Sequence, residues 1–223
     1  MDILELARNF VSFFVVLLFS LCFHECAHGW VAKLRGDNTA QVMGRLTMNP
    51  FPHMDMMGTV LLPIMTIVFN SMGAHLPLFG WARPVPINDR NLKNPRTDMF
   101  WIALAGPLAN VFLAVVGILL LVTAAEFFIT LPMFNGVRAL LQQFILTNLF
   151  LAFFNIIPLY PLDGAKVLAR FLPRSVNYKL EQNEQTSSLI LLMLIMIGAL
   201  RYLAIPVLWS YEKLLHLALG ALT

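Results

Sequence analysis

The sequence predicts an all-α polytopic membrane protein with four to six transmembrane helices. Residues of the AVILMFWYC set make up 59% of the 223-residue chain and charged residues only 12%, whereas soluble domains average about 45–50% and 25%. A soluble chain of this length could not bury so much apolar surface. The stretches 99–125 and 139–162 contain no Asp, Glu, Lys or Arg, and each exceeds the roughly 20 apolar residues that a helix needs to cross a bilayer.

The N-terminal apolar stretch predicts a further helix over 7–32. A single arginine, Arg8, precedes its apolar part and no Ala-x-Ala cleavage site follows it, so the stretch is not typical of a cleaved signal peptide. It continues instead into His24-Glu25-Cys26-Ala27-His28. Because ionisable side chains are costly against lipid, this helix spans the membrane only if these residues face protein.

Two less regular segments lie between this helix and the span 99–125. The segment 57–73 is apolar but contains Pro63 and Asn70, and we hypothesise that it enters the membrane and returns on the same side. The segment 41–48 contains Val and Thr bounded by Gly and Pro, which predicts a short β-strand or β-hairpin.

The C-terminal region predicts accessory helices. The stretch 186–204 is a candidate span, and 205–222 either spans or lies in the interface because it contains charged residues. No stretch is long and polar enough to form a soluble module. We therefore expect one integral-membrane domain over 1–223, with a core at about 7–172 and accessory helices at about 186–222.

The charge pattern argues against a nucleic-acid partner. The net charge of +3 is spread over loops without a long basic run. Phosphate-binding glycine motifs and RNA-binding aromatic signatures are also absent from the sequence. The expected surroundings are therefore the lipid bilayer and membrane-embedded partners.

The motif His24-Glu25-Cys26-Ala27-His28 predicts a metal site within the first helix. Its two histidines are four residues apart and lie on one helical face. This spacing lets both imidazoles bind one tetrahedral zinc ion, with Glu25 placed to take a proton from metal-bound water. Each ionisable group in the membrane costs about 2.5–3.5 kcal/mol, whereas a structural zinc site returns about 10–16 kcal/mol. The alternative is a pair of histidines that make structural hydrogen bonds.

A third ligand is expected after the span 139–162, because a catalytic zinc takes three protein ligands and keeps one position open. Asp163 follows Pro158 and Pro161, which break the helix near its end. Irregular backbone at membrane depth is tolerated against protein or a water-filled cavity, so Asp163 can point inward. The alternative is a solvated Asp163 at a helix end.

Cys22 and Cys26 are predicted to pack rather than to join this metal site. Each lies two positions from a histidine, which corresponds to about 200° around a helix of 3.6 residues per turn. Their side chains therefore face away from His24 and His28.

Five sequence motifs together resemble the site-2 protease family of membrane metalloproteases. HECAH, AGPLAN and NIIPLYPLDG carry the resemblance to the family, and GRLTMNPFPHMDMMGT and FGWARPVPIN resemble its compact bacterial members without PDZ or CBS domains. These motifs cover most of residues 20–170 in the family's order. One departure is Cys26, where an aliphatic residue is commoner.

The resemblance implies roles for individual residues. It implies that His24, His28 and Asp163 bind one Zn²⁺ per chain, that Glu25 is the general base, and that Asn155 holds substrate. It also implies intramembrane cleavage of single-pass transmembrane proteins or signal-peptide remnants. The implied location is the bacterial inner (plasma) membrane.

Two further residues are candidate substrate contacts. Asn110 could bond to the substrate backbone, although the small residues Ala105, Gly106 and Ala109 around it favour helix packing there. His53 could gate the site or contact substrate, and the alternative is a solvated loop histidine.

A single metal that joins the first helix to Asp163 also restricts the topology. The C-terminal ends of two spans must then lie on one face of the membrane, which requires that 57–73 does not cross. This arrangement places seven Lys or Arg residues in 33–98 and four in 158–186 on one face, against Arg8 and Arg138 on the other. The positive-inside rule then predicts a cytoplasmic catalytic face.

Two other functions are compatible with the metal ligands. A zinc transporter would also place His and Asp in the membrane, but it has no need of Glu25 as a base. An inactive scaffold would be expected to have lost a ligand or the glutamate. A further hypothesis is that the strand predicted at 41–48 binds an unwound substrate by edge pairing.

Overall fold

A computed structural model describes residues 3–71, 73 and 80–220 of the chain. Within these ranges the chain is almost entirely helical, and it contains no β-strand apart from an isolated bridge between Met54 and Ala82. The α-helices are α1 (Ile3–Leu34), α2 (Thr39–Val42), α3 (Leu62–Ser71), α4 (Pro95–Phe128), α5 (Phe134–Asn155), α6 (Asp163–Ala169), α7 (Arg174–Gln182), α8 (Glu184–Met196) and α9 (Ala204–Gly220). A π-helical turn lies at Met56–Leu61, and 3₁₀ helices lie at Phe51–His53, Asp89–Asn91 and Ala199–Leu203.

Three of the described helices are long and apolar enough to cross a membrane, namely Phe10–Leu34 of α1, α4 and α5. They confirm the prediction of an all-α polytopic membrane protein. The predicted span 99–125 lies inside α4. The predicted span 139–162 is shorter than expected because α5 ends at Asn155, three residues before a proline that cannot continue the helix.

The C-terminal region differs from the prediction of a span over 186–204. The helix α8 ends at Met196, and Gly198 adopts a left-handed conformation with φ of +74°. A glycine in this conformation is a common helix terminator. The helix α8 and the segment Ala199–Gly220 are bent by 79° relative to each other. They form either one broken span, which would be the fourth, or a re-entrant loop.

The helices α4 and α5 form the centre of the fold. They pack against each other, with α1 on one side and α9 against both of them. The buried cluster between them includes Ile118 of α4 and Ile145 of α5, both almost fully buried. Because lipid tails are as apolar as these side chains, close van der Waals packing stabilises such contacts.

The strand predicted at 41–48 does not form. The Asp37 carboxylate accepts the Thr39 N–H at 3.1 Å, and the helical turn α2 follows immediately. Gly44 then takes a left-handed conformation with φ of +66°, and the Arg45 N–H returns to the Ala40 carbonyl at 2.8 Å. This side-chain bond favours a helical turn over an extended strand, so the segment offers no strand edge for a substrate.

The structure describes most of the segment 57–73, for which a re-entrant course is hypothesised. The Asp55 carboxylate accepts the N–H of Met57 and of Gly58, which starts the apolar helix Met56–Phe69. After residues 74–79, which lie outside the described part, the Trp81 N–H donates to the Gly58 carbonyl at 3.2 Å. Gly58 and Trp81 therefore lie side by side, and the re-entrant course of 57–73 stays a prediction.

A buried carboxylate ties the end of α1 to the chain before α4. Asp37 is fully buried and accepts the Asn88 N–H at 2.7 Å and the Asn91 side-chain amide at 2.8 Å. Burial raises the pKa of Asp37, but the hydrogen bonds from Thr39, Asn88 and Asn91 outweigh this effect and lower it. The carboxylate therefore stabilises the fold in its charged form.

We expect Asp37→Ala to lower the free energy of unfolding in detergent micelles by about 1–3 kcal/mol, because buried donors lose their acceptor. The exposed Asp89 is the control, and Asp89→Ala should change stability by less than about 0.5 kcal/mol. Because the folded-state pKa of Asp37 is lowered, its contribution is present at neutral pH and is lost as the pH falls through that pKa. Equal stability of the two variants would contradict this role.

Candidate metal centre

Two histidines of α1 and the first residue of α6 converge on one point. The Nε2 atoms of His24 and His28 are 3.0 Å apart. Oδ2 of Asp163 lies 3.1 Å from Nε2 of His24 and 3.2 Å from Nε2 of His28. All three side chains are largely buried, and their ligand atoms form a nearly equilateral triangle.

The turn between α5 and α6 places Asp163 in this triangle. The helix α5 ends at Asn155, the chain turns through 156–162, and α6 begins at Asp163. Gly164 lies so close to the preceding turn that an added Cβ would overlap the carbonyl oxygens of Ile156 and Ile157. A glycine after Asp163 is therefore required for the tight return of the chain.

The outer nitrogen of each histidine has a hydrogen-bond acceptor. Nδ1 of His24 lies 2.5 Å from Oδ1 of Asn110, and Nδ1 of His28 lies 2.6 Å from the Ile102 carbonyl. Because both partners are oxygens, Nδ1 carries the proton in each ring. In the neutral form of each ring, Nε2 then carries the lone pair, which is the tautomer that metal-binding histidines use.

Asn110 belongs to a buried relay. Its amide nitrogen donates to Oδ1 of Asn148 at 2.9 Å, and the amide nitrogen of Asn148 donates to Oγ of Ser20 at 2.9 Å. All three residues are fully buried. Both ends of the Asn110 amide are occupied inside the protein, and one of them orients His24. The substrate contact at Asn110 stays a prediction.

Sequence reasoning did not identify Asn148. The available signal was its position as a polar side chain inside the apolar stretch 139–162, where polar residues usually face the protein interior.

The converging atoms fit a zinc ion. Two imidazole lone pairs and a carboxylate oxygen, all acceptors, lie 3.0–3.2 Å apart. Nitrogen and oxygen ligands 2.0–2.1 Å from a tetrahedral zinc ion would be about 3.3 Å apart. With both rings neutral and protonated on Nδ1, three acceptors converge here, and a zinc ion between them would satisfy all three.

Glu25 lies beside this triangle and is not part of it. Its Oε2 accepts the Val85 N–H at 2.7 Å. Pro84 and Pro86 flank Val85 and have no N–H, so Val85 is the only donor of this short stretch. The guanidinium of Arg45 donates to the carbonyl of Arg83, next to this stretch, at 2.7 Å. Sequence reasoning identified neither Val85 nor Arg45. The available signal was the Pro-Val-Pro pattern, in which Val85 has the single backbone N–H.

A cavity of about 600 Å³ opens in front of the triangle and Glu25. Its walls are mostly apolar and include Phe154 of α5 and Leu191 and Ile195 of α8. Asn155 lines this cavity as well, and its amide nitrogen donates to the Leu151 carbonyl at 2.9 Å. The structure thus places Asn155 where a substrate contact is possible, and that role stays a prediction.

His53 is neither solvated nor part of the cavity wall. It is 2% exposed, and its Nε2 lies 2.9 Å from the Thr47 carbonyl and 4.0 Å from Sγ of Cys26. His53 packs on the side of α1 opposite His24, and its gating or substrate contact stays a prediction. Cys22 and Cys26 face that same side, as their spacing predicts.

Comparison with known proteins assigns the chain to a family. Residues 12–129 and 128–199 match the model of Peptidase family M50. The chain belongs to this family. Membership confirms the resemblance to site-2 proteases, and the chain is a membrane zinc metalloprotease.

Several M50 relatives are similar over most of this chain. YwhC of Bacillus subtilis, provisionally named a zinc metalloprotease, is 36% identical over 198 residues, which cover 87% of this chain and 84% of YwhC. Rip2 of Mycolicibacterium smegmatis, named in the same way, is 29% identical over 92% of this chain and 76% of its own length. Zinc metalloprotease MJ0392 of Methanocaldococcus jannaschii is 27% identical over 74% of this chain and 35% of its own length. No solved structure matches the chain significantly.

The close approach of α4 to the histidines depends on Gly106. A Cβ added there would lie 2.5 Å from Cε1 and 2.6 Å from Nε2 of His24. We expect Gly106→Ala to displace the imidazoles and to weaken zinc binding by about 10–100-fold, the range for changes to groups that orient metal ligands. Zinc retained after dialysis against a chelator series measures this effect.

Gly117 provides a matched control on the same helix. A Cβ there would lie 2.7 Å from Cγ1 of Ile145, so Gly117→Ala disturbs the packing of α4 on α5 without touching the histidines. This variant should lose stability and keep its zinc affinity. Equal loss of zinc in both variants would contradict the specific role of Gly106.

Proposed function

We propose that this M50 protein is an intramembrane endopeptidase in which His24, His28 and Asp163 hold one zinc ion and Glu25 is the general base. The observation that carries the proposal is the convergence of two imidazole nitrogens and a carboxylate oxygen 3.0–3.2 Å apart. Glu25 lies next to them, and both face a largely apolar cavity. This combination supports hydrolysis of an apolar peptide rather than storage of a metal.

The chain's own residues hold the metal and move the proton. A bound zinc ion supplies an acidified water and a Lewis acid for the scissile carbonyl. The Val85 N–H holds Oε2 of Glu25, so Oε1 takes up the proton from the water. Glu25 then delivers this proton to the amine that leaves. Asn110 and the Ile102 carbonyl keep both histidines in the tautomer that presents Nε2.

The proposed substrates are single-pass transmembrane segments or signal-peptide remnants. A transmembrane helix hides its carbonyls in its own hydrogen bonds, so the substrate has to unwind locally before cleavage. An apolar cavity suits the side chains of such a segment. Asn155 lines this cavity, and we propose that it bonds to the extended substrate backbone.

The proposed location is the bacterial inner (plasma) membrane, with the catalytic face in the cytoplasm. The excess of Lys and Arg on the face that bears 33–98 and 158–186 supports this orientation. A cysteine placed at the exposed Arg90 in a background without Cys22 and Cys26 tests it. Labelling by an impermeant maleimide only after permeabilisation is expected, and labelling in intact cells would reverse the orientation.

Cleavage by the wild-type protein in proteoliposomes tests the proposed activity. Peptides with an apolar transmembrane segment should be cut, a chelator should stop the reaction, and added zinc should restore it. Polar peptides that lack the apolar segment should be cut more slowly. Transport of zinc across the liposomes without cleavage of any peptide would contradict the proposal.

A further inference from the structure

A second cluster of metal-binding side chains lies on the other face of α1. Cys22, Cys26 and His53 are 2%, 5% and 2% exposed. One potential ligand atom from each lies within 4.8 Å of the others. The two thiols are four residues apart on α1, the same spacing as His24 and His28, and therefore share one helical face.

A backbone oxygen completes this cluster. The Thr47 carbonyl oxygen lies 3.7 Å from Sγ of Cys22, 2.7 Å from Sγ of Cys26 and 2.9 Å from Nε2 of His53. Without a metal, three donors therefore compete for one carbonyl, which has two lone pairs. Two sulfurs, a nitrogen and an oxygen are thus gathered around one small volume.

We propose that Cys22, Cys26, His53 and the Thr47 carbonyl bind a second, thiophilic divalent metal ion of the zinc class, separate from the catalytic centre. Thiolate and imidazole ligands select such ions. Two thiolates and a divalent ion sum to zero charge with a neutral imidazole, which suits a buried site at membrane depth. A closed set of four protein ligands is the arrangement of structural rather than catalytic zinc sites.

The second ion would fix the part of the chain that holds the catalytic base. The His53 carbonyl accepts the Arg83 N–H at 2.8 Å. Two residues later, the Val85 N–H holds Glu25. A metal that fastens His53 to α1 therefore fixes one end of this stretch relative to Glu25, and its role is structural.

Cobalt spectroscopy distinguishes the two sites. The chain contains two cysteines and both lie in this cluster, whereas the ligands of the catalytic centre include no sulfur. Full-length protein in detergent, stripped and reloaded with Co²⁺, should therefore show a strong near-ultraviolet thiolate-to-cobalt charge-transfer band. Cys22→Ser/Cys26→Ser should lose this band and Cys26→Ser should at least halve it. Asp163→Ala, which alters only the catalytic centre, should keep it.

Metal stoichiometry provides the second measurement. The wild-type chain should retain two zinc ions, and the double variant Cys22→Ser/Cys26→Ser should retain one, which shows that the variant is folded. A wild-type protein without the thiolate band would overturn the proposal, whether its thiols are free or joined in a disulfide. Alkylation before and after reduction distinguishes free thiols from a disulfide. If the cysteine variants fail to fold, the wild-type spectrum alone decides, because the chain contains no other cysteine that could give the band.

Discussion

Glu25→Gln is expected to lower the rate of peptide cleavage by about 10²–10⁴-fold, the usual contribution of a general acid–base group. Glutamine has nearly the same shape as glutamate, and its side-chain oxygen can still accept the Val85 N–H that now lies 2.7 Å from Oε2. The fold around the site should therefore persist. Because an amide cannot accept the proton from water, the reaction loses its base.

Zinc content measured on the same preparation separates this effect from loss of the metal. Glu25 is not one of the three converging ligand residues, so Glu25→Gln should keep its zinc at the catalytic centre. Glu126→Gln is the matched control, since Glu126 is an exposed residue of α4 far along the chain from the histidines. Cleavage at the wild-type rate by Glu25→Gln would show that another group is the base.

Features that depend on local spacing were predictable from the sequence. The helices α4 and α5 follow from uninterrupted apolar stretches, which have no other stable form in a bilayer. The convergence of His24 and His28 follows from helical periodicity. Asp163 was predictable because the two prolines before it end α5 and leave a short turn at membrane depth.

Contacts between distant parts of the chain were not predictable in the same way. Val85 is 60 residues from Glu25, and Asn148 is 38 residues from Asn110. Neither pair leaves a periodic pattern in the sequence, because the tertiary fold alone brings the partners together. For the same reason the burial of His53 was not predictable. It depends on the packing of its loop against α1 rather than on the polarity of the loop.

Competition between local and tertiary preferences explains the incorrect strand at 41–48. Val and Thr favour extended backbone, but β-propensity is weak and depends on context. In the structure the Asp37 carboxylate binds the N–H of Thr39 and the N–H of Asn88 at the same time. This buried side chain is outside the segment that the pattern covers, so the pattern could not anticipate the helical turn.

Asp163→Ala is expected to remove zinc from the catalytic centre and to lower cleavage by at least about 100-fold, beyond the effect of altering a group that only orients a ligand. The substitution removes the oxygen that lies 3.1 Å from Nε2 of His24 and 3.2 Å from Nε2 of His28. Two imidazoles remain as ligands. The site also loses the negative charge of the carboxylate, which offsets the positive charge of the metal ion. Zinc analysis and peptide cleavage on one preparation should therefore decrease together, unlike in Glu25→Gln.

Asp98→Ala is the control that separates the loss of a ligand from the loss of a buried carboxylate. Asp98 is 3% exposed, lies in the first turn of α4, and accepts the Asn94 N–H at 2.8 Å. Its removal should destabilise the protein by about 1–3 kcal/mol and leave the catalytic zinc in place. If Asp98→Ala lost zinc as Asp163→Ala does, the metal loss would follow from destabilisation of the fold. Zinc retained by Asp163→Ala would instead mean that the third ligand lies elsewhere, because two imidazoles alone do not complete a catalytic site.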